Sequence, residues 1–359
     1  MKLPVLPPVK PMLAKSVATI PPGQLYEPKW DGFRSIVFVD GEDVVLGSRN
    51  ERPLTRYFPE LVAEFGAQLG VPCVLDGEII VPGPGRRRLE FEMLQQRIHP
   101  AESRVRLLSE ETPAEYVAFD LLALGDEDLR DRPLSERREL LAGLFAGVRA
   151  PLHLTPLTDD VEVARRWFTE WEGAGLDGII AKAPGLAYQP DKRVMSKIKH
   201  ARTADCVVAG YRPHKNDAEA IGSLLLGLYD QGTLASVGVI GAFPMKRRKE
   251  MYAALQPLVT ELSDHPWSWA AETTQHDGAR SPRKSEMSRW NAGKDLSFVP
   301  LRPDLVVEVK YDYLEGSRFR HTGQFARWRP DRDPESCTFD QLETVAAFDL
   351  NEILPGNRD

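Results

Sequence analysis

Along the first 200 residues, apolar positions fall in two rhythms. Residues 35–39 and 44–46 read as strands flanking Asp40-Gly41, a pair that favours a tight hairpin turn. Residues 73–81 and 116–122 are near-continuous apolar runs, as expected of strands buried on both faces, the first broken at Asp76-Gly77-Glu78. Helical spacing appears at 56–69, at 134–145 with Ser135 as a cap, and at 160–171 behind an Asp pair. Residues 84–88 form a turn-rich basic loop, and 176–181 a short strand.

The texture changes after about Lys199. Short strands are expected at 206–211, 223–229, 234–240, 305–311 and 324–328, with one helix at about 245–262. This pattern suits a small β-barrel. A polar, basic stretch at 273–294 reads as a loop. The domain boundary is placed near 202–204, giving domains of 1–202 and 203–359. The fold class is α+β: antiparallel and mixed sheets with helices, then a β-barrel.

Composition narrows the classes. A chain of 359 residues, 42% hydrophobic and 28% charged, is an ordinary globular mix of about two domains. No apolar h-region opens it and no run approaches ~18 apolar residues, so neither a secretory signal nor a membrane span is expected. Cys73, Cys206 and Cys337 lie far apart, and the histidines show no metal-binding spacing. A disulfide framework or structural zinc is therefore not expected, the cytoplasm is, and any metal should be a hard cation on oxygen ligands. The net charge of −7 taken alone argues against a nucleic-acid partner. Basic clusters at 86–88, 192–202, 246–249, 280–294 and 318–332 leave room for a basic face all the same.

The densest chemical signal is Glu27-Pro28-Lys29-Trp30-Asp31-Gly32-Phe33-Arg34. A lysine sits between a strand and a glycine turn, with a carboxylate two residues away on each side. Most lysines are solvated surface residues. One that acts as a nucleophile must shed its proton near pH 7, from an ordinary value of ~10.4, through desolvation or a nearby cation. Lys197 and Lys199 alternate around Ile198, so both ammonium groups face one side of a strand, and Arg327 and Arg329 alternate likewise.

The stretch from Glu27 to Arg34 resembles the KxDGxR motif of covalent nucleotidyltransferases: ATP-dependent DNA ligases, RNA ligases and mRNA capping enzymes. Further elements follow in the family's order. Ser48-Arg49-Asn50, Leu75-Asp76-Gly77-Glu78, Ala118-Phe119-Asp120-Leu121-Leu122, Leu176-Asp177-Gly178-Ile179-Ile180-Ala181-Lys182, Arg193 with Lys197-Ile198-Lys199, and Arg327-Trp328-Arg329-Pro330-Asp331-Arg332 each look like one of them. The resemblance spans nearly the whole chain and is greatest to ATP-dependent DNA ligases, in particular the short bacterial C type.

It implies an adenylation domain followed by an OB-fold barrel, a hinge between them near 202–205, and sealing of 5′-phosphate/3′-hydroxyl nicks through lysyl-AMP and adenylated DNA. By resemblance, Lys29 is the nucleophile and Glu27 reads the adenine amine. Phe119 stacks on the base. Arg34 and Arg49 bind ribose or phosphates. Glu78 meets the ribose or the metal, Arg193, Lys197 and Lys199 serve the nucleotide phosphates, and Arg327 and Arg329 clasp pyrophosphate. Glu78 and Asp177 are the expected ligands of Mg²⁺ or Mn²⁺. Nicked duplex DNA and repair proteins are the expected partners of a monomer.

Three positions depart from the pattern: Asp177 replaces the usual Glu, Glu51 a Gly, and Arg332 a Lys. An RNA ligase or GTP-using capping enzyme stays open as an alternative, as does a non-catalytic nucleic-acid scaffold. An NAD⁺-dependent ligase is disfavoured, because only 28 residues precede Lys29.

Overall fold

The computed structural model describes residues 1–99, 101–200, 202–268, 297–312, 314–342 and 345–354. The chain divides into two compact units, Met1–Lys199 with Val345–Asp359, and His200–Thr344.

In chain order the first unit carries β1 (Leu13–Ser16), β2 (Leu25–Pro28), β3 (Phe33–Asp40), β4 (Asp43–Ser48), α1 (Pro59–Gln68), β5 (Cys73–Ile80), α2 (Phe91–Gln96) and α3 (Glu102–Glu111). It continues with β6 (Glu115–Leu124), β7 (Glu127–Asp128), α4 (Leu134–Leu144), β8 (Leu152–Leu154), α5 (Val161–Glu170), β9 (Ile179–Lys182) and β10 (Arg193–Ile198). One sheet runs β4-β3-β5-β6-β7, with β8 parallel to β6; the other runs β1-β10-β9-β2.

The continuous apolar runs follow from a sheet covered on both faces. Along β3, Val37 and Val39 join the core that holds Leu61 and Phe65 of α1. Ile36 and Phe38 point the other way, into a core with Met12, Tyr188 and Met195. The hairpin forms as expected, Asp40 opposite Asp43, with Gly41 left-handed at φ +64°.

Several expected boundaries move. β5 is not broken at Asp76-Gly77-Glu78; only its register against β6 shifts there. A Cβ on Gly77 would overlap the Tyr116 ring, so glycine permits the close approach rather than ending the strand. The helix expected at 56–69 splits into a turn at Thr55–Tyr57 and α1, because Pro59 at its first position keeps Phe58 out of the helix. Ser135 caps nothing in α4, whereas Asp160 caps α5 by accepting from the Glu162 N–H at 2.8 Å.

The second unit holds β11 (Arg202–His214), β12 (Asp217–Asp230), β13 (Thr233–Ile240), α6 (Met245–Leu255), β14 (Val299–Pro300), β15 (Val306–Tyr311), β16 (Leu314–Glu315), β17 (Arg318–Phe319) and β18 (Gln324–Trp328). Its antiparallel sheet runs β13-β12-β11-β15-β18. The Gly323 N–H donates to Val239 O at 2.9 Å, which draws the two end strands together toward a barrel. α6 stops at Leu255, short of the expected 262, where Pro257 opens a 3-10 turn. The loop expected at 273–294 lies outside the described residues.

The domain boundary also needs correction. Arg202 to Asp205 already pair with Tyr311 to Glu308 in the β11–β15 ladder, so they are sheet rather than hinge. The units part between Lys199 and His200, and the chain from Val345 rejoins the first unit, where α7 (Leu350–Ile353) forms. Among the described residues no helix is long and apolar enough to cross a membrane.

Candidate active site

β2 pairs with β9 until Pro28, and the chain then turns out of the sheet. The Lys29 N–H donates to Gly178 O at 2.8 Å, and the Asp177 N–H donates back to Lys29 O at 2.9 Å. Gly178 is needed here: its φ is +128°, and a Cβ would overlap Ile198 O. This exchange sets the Lys29 side chain against Asp177, with Nζ 2.5 Å from Oδ2. Lys199, one residue past β10, places its own Nζ 2.7 Å from the same oxygen.

Lys29 lines a cavity of about 190 Å³ in the first unit. At one part of its wall Glu27 is buried, with Oε2 2.8 Å from Lys182 Nζ and Oε1 without any partner. Such an orphaned buried acceptor is costly unless a ligand donor meets it. Phe119 also lines the cavity; Arg34 lies 4.5 Å and Lys182 4.9 Å from its ring centroid.

Arg34 is held by Asp76 in a two-pronged pair, Nε and Nη2 each 2.6 Å from a carboxylate oxygen. The Tyr188 hydroxyl donates to the same carboxylate at 2.7 Å. Of the guanidinium, Nη1 stays outside this fork. Glu78 also faces the cavity; burial pushes its carboxyl up to about 7, while Arg34, Lys29 and the Gly32 N–H pull the other way.

A cationic wall completes the cavity. Arg49, exposed at the end of β4, lines it together with Arg193 and Lys197. Burial, with the positive charges of Lys199, Lys29 and Arg49, holds the Lys197 ammonium below its ordinary value; Asp177 opposes them. Arg193 is exposed and donates to Ala14 O at 3.3 Å. Several cations around one aspartate leave positive charge over, which suits a polyphosphate.

The structure thus brings Glu27, Lys29, Arg34, Arg49, Glu78, Phe119, Arg193 and Lys197 to one cavity, with Asp177 and Lys199 bonded behind Lys29. Arg327 and Arg329 belong to the second unit. In the second unit Arg327 pairs with Glu308 at 2.5 Å, and Arg329 grips both Asp205 oxygens at 2.9 Å and Asp331 besides. Among the described residues no three His, Cys, Asp or Glu side chains gather as a metal cluster. Lys182 and Asp76 went unassigned in the sequence. The signals were there: Lys182 ends the Asp177-to-Lys182 motif, and Asp76 precedes the glycine of the Leu75-to-Glu78 motif.

Two family models match this chain: the ATP dependent DNA ligase domain over residues 11–199, and the ATP dependent DNA ligase C terminal region over residues 217–332. The chain belongs to the ATP-dependent DNA ligases. This ligase is 64% identical to DNA ligase C of Mycobacterium tuberculosis, covering 100% of both chains. It is 63% identical to DNA ligase C2 of Mycolicibacterium smegmatis, over 96% of this chain and 97% of that protein. A solved structure from a study of Lig E DNA ligases matches with a TM-score of 0.56 at 15% identity, covering 89% of this chain and 99% of its own. At that identity the likeness speaks for the fold alone.

The family assignment drawn from the motifs stands, as does the α+β class with an OB-like C-terminal region. The ligase forms phosphodiester bonds using ATP and a divalent metal, through the adenylate intermediate general to its family.

Proposed function

We propose that Lys29 is the residue this ligase adenylates while sealing 5′-phosphate/3′-hydroxyl nicks in duplex DNA. The observation that carries the reading is the placement of the Lys29 amine. It sits in a cavity with a cationic wall and an unpartnered buried carboxylate oxygen on Glu27.

The amine attacks the α-phosphorus of ATP; a P–N bond forms and the bond to pyrophosphate breaks. Asp177 Oδ2 is the acceptor nearest the proton the amine gives up. Arg49, Arg193, Lys197 and Lys199 neutralise the phosphate oxygens. The protein's work in such a displacement is positioning and charge neutralisation. Glu27 Oε1 accepts from the adenine amine, which satisfies the orphan, and Phe119 stacks on the base. Nη1 of Arg34, outside the Asp76 fork, is the edge left for ribose or phosphate. AMP then passes to the 5′-phosphate of the nick, and the adjoining 3′-hydroxyl displaces it.

Glu78 and Asp177 fit a hard divalent cation, which we take to be Mg²⁺ (Mn²⁺ would also serve). The Glu78 carboxyl is half-buried beside the cavity, and a cation offsets its desolvation. When bound, the ion supplies charge neutralisation at the phosphate oxygens. Asp177 serves it only by yielding a contact now made to Lys29 or Lys199. A pyrophosphate role for Arg327 and Arg329 requires each to exchange its carboxylate partners for phosphate. We place the enzyme in DNA repair, working with repair proteins in the cytoplasm, where the buried free thiols of Cys73, Cys206 and Cys337 stay reduced.

Incubation with α-labelled ATP and Mg²⁺, followed by denaturation, tests the nucleophile. Label should stay on the parent protein and vanish in Lys29→Ala. Label persisting in the variant refutes the assignment. Nicked duplexes with DNA or RNA flanking the nick test the substrate, and sealing confined to RNA ends overturns the DNA reading.

A further inference from the structure

The last described segment, 345–354, lies beyond both matched family regions, the second of which ends at residue 332. It nonetheless belongs to the first unit. Leu350, Ile353 and Leu354 are buried there in one apolar cluster with Trp30, Phe119 and Leu176. Trp30 follows Lys29 directly, and Leu176 precedes Asp177. These flanks are already tied together by the two backbone hydrogen bonds between Lys29 and 177–178. Phe119 belongs to the cavity wall itself.

Polar contacts fix the segment in register. The Leu350 N–H donates to Arg87 O at 2.8 Å, Arg86 Nε donates to Asn351 Oδ1 at 3.2 Å, and Arg86 Nη2 donates to Leu354 O at 3.3 Å. Arg86 also pairs with Glu115 of β6. At Gly173 the tail comes so close that an added Cβ would overlap Ala346 O and Phe348 N.

We infer that residues 345–354 are a positioning strap for the adenylation step, holding the backbone on both sides of the Lys29–Asp177 pair through the shared Trp30–Leu176–Leu350 cluster. The inference rests on Lys29 being the adenylated residue. An ordinary piece of core would protect the fold wherever it packed. This one packs in one cluster with Trp30 next to the nucleophile, Leu176 next to Asp177, and the Phe119 ring, so its release loosens the flanks of both and the ring together.

Gly173→Ala tests it in the full chain. Gly173 is not left-handed, so alanine is unstrained there and only the tail backbone stands in its way. Leu350→Ala with Ile353→Ala removes two of the tail's three buried apolar anchors without touching residues of 1–199. Rapid-quench labelling with saturating α-labelled ATP separates rate from amplitude. The strap predicts a rate constant lower by roughly tenfold or more, since misplacement of reacting groups by about 1 Å costs up to a hundredfold. The amplitude stays full, and Glu352→Ala, an exposed tail position, keeps the parent rate. A parent-like rate constant in both tail variants overturns the strap. So does a loss confined to amplitude, which is the mark of a folding defect. Lys29→Ala in the same assay reports on the nucleophile alone: label persisting there refutes that assignment and leaves the strap comparison intact.

Discussion

A single carboxylate oxygen, Asp177 Oδ2, accepts from both Lys29 and Lys199. The shorter side chain at this departure from the family pattern is therefore no gap, because Asp177 reaches both ammonium groups. Glu51, the second departure, keeps the turn its motif needs. It sits at φ +60°, and its N–H donates to Ser48 O at 2.9 Å. A left-handed residue bearing a Cβ costs about 1–2 kcal/mol, offset in part by the extra freedom a glycine brings to the unfolded chain. Glu51→Gly is expected to stabilise the first unit by roughly 0.5–1 kcal/mol in denaturant unfolding. A loss of that size would sink the argument. At this scale the motif residues were legible because phosphate chemistry demands particular side chains at particular spacings. Asp76 and Lys182 were less so. Their work is to hold Arg34 and Glu27, and nothing in a linear motif tells a ligand contact from the group that supports it.

Elements built on alternation were read well, since burial on one or both faces of a strand writes a period of two or a solid run. Helix ends were read worse. Pro59 and Pro257 reset the chain inside patterns that otherwise look helical. Contacts between elements were not legible at all. Arg137 of α4 and Asp120 of β6 are both fully buried and pair at 2.8 Å, although their stretch of sequence shows only an ordinary charged helix. Arg137 also donates to Leu186 O at 2.9 Å. Arg137→Leu leaves Asp120 charged and unpaired in the interior and should cost about 3–5 kcal/mol. Adding Asp120→Leu removes that charge, so the double variant should recover part of the loss. Unfolding of the two variants side by side checks this: a double variant weaker than Arg137→Leu alone would mean the pair is not what joins α4 to β6.

The two units each complete their own core. Among the described residues, the cluster built around Cys206, Leu226, Trp267 and Val307 draws only on the second unit, and the cores around Val37, Phe38 and Trp30 only on the first. Burial of apolar side chains within each unit makes each cooperative by itself, so calorimetry is expected to resolve two transitions. The cavity proposed for the nucleotide is lined by the first unit, so ATP should raise one transition and leave the other in place. At nucleotide a hundredfold above its dissociation constant, linkage adds about 2.7 kcal/mol to the unit that binds. The tail then gives this experiment its discriminating power. Residues 345–354 follow every described strand of the second unit, yet their apolar side chains complete a first-unit core. Leu350→Ala with Ile353→Ala should therefore lower the ATP-responsive transition and not the other. A shift of the ATP-insensitive transition instead would place the tail's packing with the barrel.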